Sequence, residues 1–450
     1  MVEKKWLKKK AEKVRKVDYI DPALYRKYGV KRGLRNDNGT GVLVGLTTIG
    51  NVHGYVMDEG EKRAIPGELY YRGINVKDIV LADKREHRFG YEETAYLLLF
   101  GELPTEKELV DWKNKIGSYR KLSDSFRENA IMKHPPKDLM NALARAVLFA
   151  YAFDPDGNPD DISLEKCLEQ SMDLIGAIPT VAAYAYQAKA HLHDGAAMTI
   201  RNPDPEKSTA ENILLLTRED GKYTKLEAET LDLSLILHAE HGGGNNSSFT
   251  THVVTSSHSD IYSSVASSIL SLKGSRHGGA NLRVMKQMEE IMWNVKDWSK
   301  PENVKKYLER IADKKAGDCS GLIYGLGHAV YTISDPRAQL LKEKARALAK
   351  EKGREEQLKL YEMIEEFGPA IIKSRHPRAE DVCANVDLYS GFVYDMLGIP
   401  KDLYTPLFAV ARCVSWCAHR MEELVNAGPI IRPAYKPIFH PKPYIKLSER

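Results

Sequence analysis

The chain has 450 residues and a formal net charge of +4 at pH 7, with 43% hydrophobic and 28% charged residues. That length carries two domains, or one large domain with a smaller partner, and the hydrophobic share suits a sizeable buried core. So small a charge over so long a chain argues against a nucleic-acid binder, which concentrates basic residues on one face, and no stretch reads as a membrane span.

Residues 1–16, MVEKKWLKKKAEKVRK, are basic, broken by Glu3 and Glu12, and lack an apolar centre. They predict a solvated amphipathic helix rather than a signal peptide or anchor. Residues 40–56, TGVLVGLTTIGNVHGYV, have short β-branched runs cut by glycine and predict one small hairpin. The most apolar run, 142–153, contains Arg145 and predicts a buried helix; FDPDGNPDD (153–161) and RNPDPEK (201–207) predict surface loops. Helical periodicity dominates elsewhere. Over 260–273, Ile261, Val265, Ile269 and Leu272 share one stripe, and Gly274 suits the left-handed residue past a helix end. Val284, Met288 and Ile291 begin another stripe. The chain reads as mostly α. Its cysteines, Cys167, Cys319, Cys383, Cys413 and Cys417, are odd in number and lack framework spacing, which fits a reducing, cytoplasmic setting.

Unusual chemistry gathers in the second half. Residues 238–248 read HAEHGGGNNSS, with His238 and His241 three apart before three glycines and Asn245. Residues 271–285, SLKGSRHGGANLRVM, hold His277 between glycines where one helical pattern stops and the next starts. GLGHAVYTISDPR (325–337) places His328 after a glycine turn and Arg337 after a proline. NVDLYSG (385–391) sets Asp387 among apolar neighbours; Arg412 lies in an apolar helix and Arg432 in GPIIRPAY. Singly, each has a plain structural reading: a satisfied core histidine, a turn glycine, an arginine reaching to the surface. Together they repeat one arrangement, a glycine beside a histidine at an element boundary. There a backbone can approach a ligand closely and a helix start offers free N–H groups to an anion. No GxxxxGK[ST], HExxH or GxSxG motif is present. His238 and His241 have metal-ligand spacing without a completing set. Cys413, Cys417 and His419 could line one helix face, with core thiols as the plainer reading.

The segments HAEHGGGN, GSRHGGAN, GLGHAVYTISDPR, NVDLYSG and the closing RP, in that order, resemble the citrate synthase family over about residues 45–435. The resemblance implies a mostly helical fold. A large domain (1–277 and 388–450) would carry a smaller inserted domain (278–387) that closes over the site, in an obligate dimer. It implies condensation of acetyl-CoA with oxaloacetate, followed by thioester hydrolysis, with no metal and no cofactor. Formation of 2-methylcitrate from propionyl-CoA is the near alternative, and a non-catalytic acyl-CoA or dicarboxylate binder the distant one. In the implied roles His277 stabilises the enol, Asp387 removes the methyl proton and His328 polarises the ketone. His241, Asn245, Arg337 and Arg412 hold oxaloacetate, joined by Arg432 from the partner subunit. Tyr324, Gly325, Leu326, Gly327 and Asn385 lie along coenzyme A. Gly274, Gly278, Gly279 and Gly391 are hinge candidates.

The chain departs from many members at Gly242, Ser275 and Arg276. Arg276 has two readings, a coenzyme A phosphate contact or a solvated side chain. Lys373, Arg375 and Arg378 are further phosphate candidates. The chemistry behind these roles is general. A thioester methyl is a very weak carbon acid, so a carboxylate base needs a hydrogen-bond donor on the thioester oxygen as charge develops. A dianionic substrate calls for several guanidinium forks. The helix start after His277 would disfavour the imidazolium and keep that ring neutral.

Overall fold

The structure is a computed structural model that describes residues 2–36, 39–59, 61–377 and 380–449; Arg378 lies outside the described residues. The chain divides into two compact units, Met1–Leu46 and Thr47–Arg450. The first holds the helices Val2–Val17 and Pro22–Lys27, and its leading helix is exposed from Lys5 onward, as a charged amphipathic sequence requires.

The second unit is helical apart from a small antiparallel sheet, β1 (Gly50–Asp58), β2 (Glu61–Tyr71) and β3 (Ile74–Asn75), in the order β1-β2-β3. The expected hairpin at 40–56 therefore lies further along the chain. Its second strand contains Pro66 and the charged run EKR, which hide it from a β-propensity reading. The core is built on two long helices packed together, Leu164–Asp194 (31 residues) and Tyr404–Asn426 (23 residues). Leu139–Ala150, Asn246–Thr255 and Ile261–Lys273 pack around them. Trp416, Val414 and Val410 on the last long helix are buried, and each buried valine contributes about 1.5–3 kcal/mol relative to an exposed one. Ala280–Asn294, Pro301–Ala312, Pro336–Lys352, Glu355–Arg375 and Val386–Met396 supply the rest of the half that carries the motifs.

The predicted stripe over 260–273 forms the helix Ile261–Lys273, capped by Asp260, whose carboxylate accepts from Ser263 N–H at 2.8 Å. Gly274 does not adopt the expected left-handed conformation: its φ and ψ are −55° and 138°. The helix ends instead in a tight reversal, with His277 N–H donating to Gly274 O (2.8 Å) and Gly278 N–H to Leu272 O (2.9 Å). Gly391 lies inside Val386–Met396, where an added Cβ would stand 2.8 Å from Met285; its missing side chain lets two helices meet closely. Among the described residues no helix is long and apolar enough to cross a membrane.

Candidate active site

Three site segments share one local construction. Asn245, Asp335 and Asn385 each cap a helix, accepting the N–H of the second helical residue: Ser247 (3.2 Å), Arg337 (3.0 Å) and Asp387 (3.1 Å). The cap leaves that second residue at the positive end of its helix, where anions are favoured. A fourth helix, Ala280–Asn294, starts three residues after His277.

His328 stands on a loop stitched to the segment that precedes Asp387. Gly327 N–H donates to Cys383 O (2.8 Å), Asn385 N–H to Gly325 O (2.9 Å) and Asn385 Nδ2 to Gly327 O (2.8 Å). Gly325 and Gly327 have φ of +88° and +89°, so the turn needs glycine at both. The His328 ring stacks on Tyr331 at 4.7 Å and stands edge-on to His241 at 4.9 Å. Its Nδ1 accepts the N–H groups of Val330 and Tyr331, both at 3.1 Å. A nitrogen that accepts two N–H bonds carries no proton, so the hydrogen-bond pattern assigns the ring proton to Nε2.

The small sheet forms a wall behind this loop. Tyr331 Oη donates to Glu68 O (3.1 Å), and Gly67 N–H donates to Ser334 O (3.1 Å). An added Cβ on Gly67 would lie 2.1 Å from Ser334 O, a backbone atom that cannot yield. Gly67→Ala is therefore expected to displace the loop between His328 and Arg337 and to reduce kcat/KM at least tenfold (about 1.4 kcal/mol). The circular dichroism spectrum should stay helical; steady-state kinetics at matched folded concentration checks this.

The His277 ring is fixed through Nε2, which lies 3.1 Å from Asn245 Oδ1 and 3.3 Å from Ser247 Oγ. Two tautomers satisfy these contacts. With the proton on Nε2 the ring donates to Asn245 Oδ1, which also accepts the Ser247 hydroxyl at 2.8 Å; if that hydroxyl turns to donate to Nε2 instead, the proton sits on Nδ1. Burial pulls the His277 pKa down to about 4, with the Arg412 charge adding to the fall. The expected neutral ring is thus present, and desolvation with a neighbouring cation holds it so. Asp387 is pushed up to about 6 by burial, opposed by Arg337 and reinforced by Asp335.

His241 lies well below the ordinary imidazole range, through burial first and then the charges of Arg337, His328, Arg412 and His277. Its Nε2 is buried with no hydrogen-bond partner among the described residues. Arg412 is 1% exposed, donates from Nε to His238 O at 2.7 Å and leaves Nη1 buried without a partner. Arg337 is held by Asp335 through Nε (3.0 Å) and Nη2 (2.7 Å), which leaves Nη1 as a donor outside that pair. Neutral imidazoles, a carboxyl of raised pKa and buried guanidinium donors thus couple to one another.

Other candidates lie apart. His238 is a core residue stacked on Phe408 at 4.1 Å, while His241 faces His328 and Tyr331, so these two histidines do not form a metal pair. Cys413 and Cys417 are buried free thiols. Tyr324 donates to Asp318 (2.5 Å) and lies under Arg283, whose guanidinium is 5.5 Å from the ring centroid; Leu326 packs on the core. Arg276 and Arg432 are exposed, Lys373 pairs with Asp381 (3.1 Å) and Arg375 with Asp313 (3.0 Å). The sequence reading passed over Ser247, Tyr331 and Glu240. Ser247 and Glu240 lie within the HAEHGGGNNSS segment and Tyr331 three residues after His328, so proximity to a singled-out histidine was the available signal.

This frame and site define an enzyme that performs acid–base chemistry on a small anion. A sequence description of the citrate synthase C-terminal domain matches residues 38–434. Citrate synthase from Haloferax volcanii is 34% identical over 82% of this chain and 88% of its own length. 2-methylcitrate synthase 1 of Corynebacterium glutamicum is 32% identical over 85% and 92%. Among solved structures, a ternary complex of citrate synthase from the thermophilic archaeon Thermoplasma acidophilum with carboxymethyl coenzyme A and oxaloacetate superposes with a TM-score of 0.76. It is 27% identical and is covered over 99% of its length by 94% of this chain. Citrate synthase from Pyrobaculum aerophilum gives 0.73 at 31% identity, covering 91% of this chain and 94% of its own. The chain belongs to the citrate synthase family, and its enzyme class is that of acyltransferases that convert the acyl group to alkyl on transfer.

Proposed function

We propose that the chain condenses acetyl-CoA with oxaloacetate and hydrolyses the citryl thioester to citrate and coenzyme A. The observation that carries this reading is the pair of unsatisfied buried groups, His241 Nε2 and Arg412 Nη1, beside the Nε2–H tautomer of His328. Buried polar atoms are nearly always paired, so an unpaired set of this polarity is a place for an anionic ligand. Oxaloacetate would take one carboxylate on Arg412 with His241 and the other on Arg337 Nη1, with Asn245 beside it.

In this assignment Asp387 takes a methyl proton from acetyl-CoA while His277 donates to the thioester oxygen. That role requires the Nδ1–H tautomer, which Ser247 would stabilise by turning its hydroxyl from Asn245 Oδ1 to Nε2. The enol carbon then attacks the ketone, whose oxygen accepts the His328 Nε2 proton. Water afterwards cleaves the thioester and releases the coenzyme A thiol. Coenzyme A would run along Tyr324–Gly327 and Asn385, with Arg276, Lys373 and Arg375 as phosphate contacts. The division into a large domain (1–277, 388–450) and a closing domain (278–387), the homodimer with Arg432 supplied across its interface, a cytoplasmic location and the lack of a cofactor belong to the same proposal.

Thiol release with oxaloacetate and a panel of acyl-CoAs tests the substrate. Acetyl-CoA should exceed propionyl-CoA in kcat/KM by about 10-fold or more, because one methylene is worth roughly 1–3 kcal/mol in a fitted pocket. A preference for propionyl-CoA would assign the chain to 2-methylcitrate formation, the activity in the name of the Corynebacterium relative.

A further inference from the structure

Behind the HAEH loop, on the side of the Tyr404–Asn426 helix, lies a second histidine cluster that the reaction does not use. His252, from Asn246–Thr255, directs Nδ1 to Glu423 Oε2 at 2.7 Å. His419, fully buried, directs Nε2 to Glu240 Oε2 at 3.1 Å. Each ring thus has one nitrogen fixed on a carboxylate, which requires an N–H there. The remaining two nitrogens, His252 Nε2 and His419 Nδ1, face each other at 3.1 Å. Two lone pairs at that distance repel unless a proton or a cation lies between them.

A third group completes the arrangement. Glu422 Oε1 is saturated by the N–H (2.6 Å) and hydroxyl (2.9 Å) of Thr48. Its Oε2 is buried, has no hydrogen-bond partner among the described residues, and lies 3.8 Å from His419 Nδ1, with which it pairs when that ring is protonated, on a side chain that is 9% exposed. His252 Nε2, His419 Nδ1 and Glu422 Oε2 offer ligand atoms all within 4.8 Å of one another. Around a tetrahedral zinc ion, nitrogens at about 2.0–2.1 Å stand about 3.3 Å apart, so the imidazole pair is about 0.2 Å short of that spacing, and both rings must swing to aim their lone pairs at the ion. Carboxylates on the far nitrogens are the outer contacts that orient metal-bound histidines and raise their basicity.

We propose that His252, His419 and Glu422 bind one divalent transition-metal ion of the zinc type, in a site that fastens Asn246–Thr255 to the Tyr404–Asn426 helix. Two imidazoles and one carboxylate are the donor set that such ions favour over magnesium or calcium. The site is not part of the condensation chemistry. Glu240 links it to that chemistry, because its other contacts are the N–H of Gly242 and the hydroxyl of Ser415, so the ion would stiffen the loop that carries His241.

The test uses the full-length protein, stripped with a chelator and titrated with zinc chloride by calorimetry and with cobalt(II) chloride by visible absorption. The expected result is one ion per chain, a four-coordinate cobalt spectrum and a zinc-dependent rise in Tm. His252→Gln and Glu422→Gln should each weaken the site at least tenfold. Glu422→Gln keeps the acceptor to Thr48 but gives up a carboxylate whose pKa, against burial, its partners hold down to about 2, so its metal-free Tm should fall, and the site is read from the loss of the zinc-dependent rise. Absence of saturable binding would mean that a proton alone joins the two rings, and would overturn the proposal. So would binding unchanged in both variants, which would place the ion elsewhere.

Discussion

Asp387→Ala is expected to lower kcat by about two to four orders of magnitude, the usual contribution of a positioned general base, while oxaloacetate still binds. Asp387 is the second residue of Val386–Met396, its N–H held by the Asn385 cap. Its electrostatic neighbours include Arg337, Asp335 and Tyr394, and among the described residues it makes no hydrogen bond to the unpartnered His241 Nε2 or Arg412 Nη1. Removing the carboxylate therefore removes proton abstraction and leaves the anion site standing. Steady-state kinetics with acetyl-CoA, paired with calorimetric titration of oxaloacetate, separates the two effects. Undiminished turnover would remove Asp387 from the mechanism, and joint loss of binding and turnover would make it a structural residue.

The same carboxyl sets the pH dependence. Its pKa of about 6 in the substrate-free protein means that the base form is lost as pH falls through 6, so kcat/KM should decline on that limb and level off above it. His277 adds nothing to this limb, because with a pKa of about 4 it stays neutral throughout. An ordinary exposed aspartate would place the limb near 4. Burial thus moves the proposed base toward neutral pH and would narrow the acid range over which it can act.

Much of the site was legible because its parts lie in short segments where histidine, glycine and a capping residue adjoin. The HAEHGGGNNSS, SRHGGAN, GLGHAVY and NVDLYSG segments each put a candidate side chain at an element boundary, and local sequence governs boundaries strongly. What escaped the reading was set by tertiary contact. The sheet behind His328 depends on β2, whose proline and charges obscure it, and on Gly67 fitting against Ser334. Gly274 departs from the left-handed expectation because a helix end can close through Gly278 N–H on Leu272 O without a left-handed residue. The neutral state of His277 was anticipated from the helix that follows it, whereas burial and Arg412, which is 135 positions away in sequence, lower its pKa. A distant arginine on an apolar helix gives no local sign of which histidine it will face.

Arg412→Met carries the second large effect, and its two halves pull in opposite directions. Binding of oxaloacetate should weaken by roughly 2–5 kcal/mol, because a buried charge-assisted partner of a carboxylate is lost. Folding should suffer little. Arg337 has a carboxylate partner in Asp335, but Arg412 has none among the described residues, and burial lowers its pKa to about 10, opposed by Glu240 and Tyr71. A base whose folded pKa is depressed is disfavoured in its charged form by folding, so at neutral pH the charge destabilises the substrate-free protein. Methionine fills a similar volume without that charge; it gives up the Nε bond to His238 O, worth about 1.5–3 kcal/mol, and the cation–π contact with Phe408 at 5.0 Å, which offset part of the gain. Thermal melts should therefore show a substrate-free Tm close to or above that of the parent chain, together with loss of the Tm rise that oxaloacetate gives the parent. A large fall in the substrate-free Tm would make Arg412 a structural residue. The expected pattern instead locates the cost of recognition in the empty state: the protein keeps a guanidinium dry and unpaired so that a carboxylate completes it.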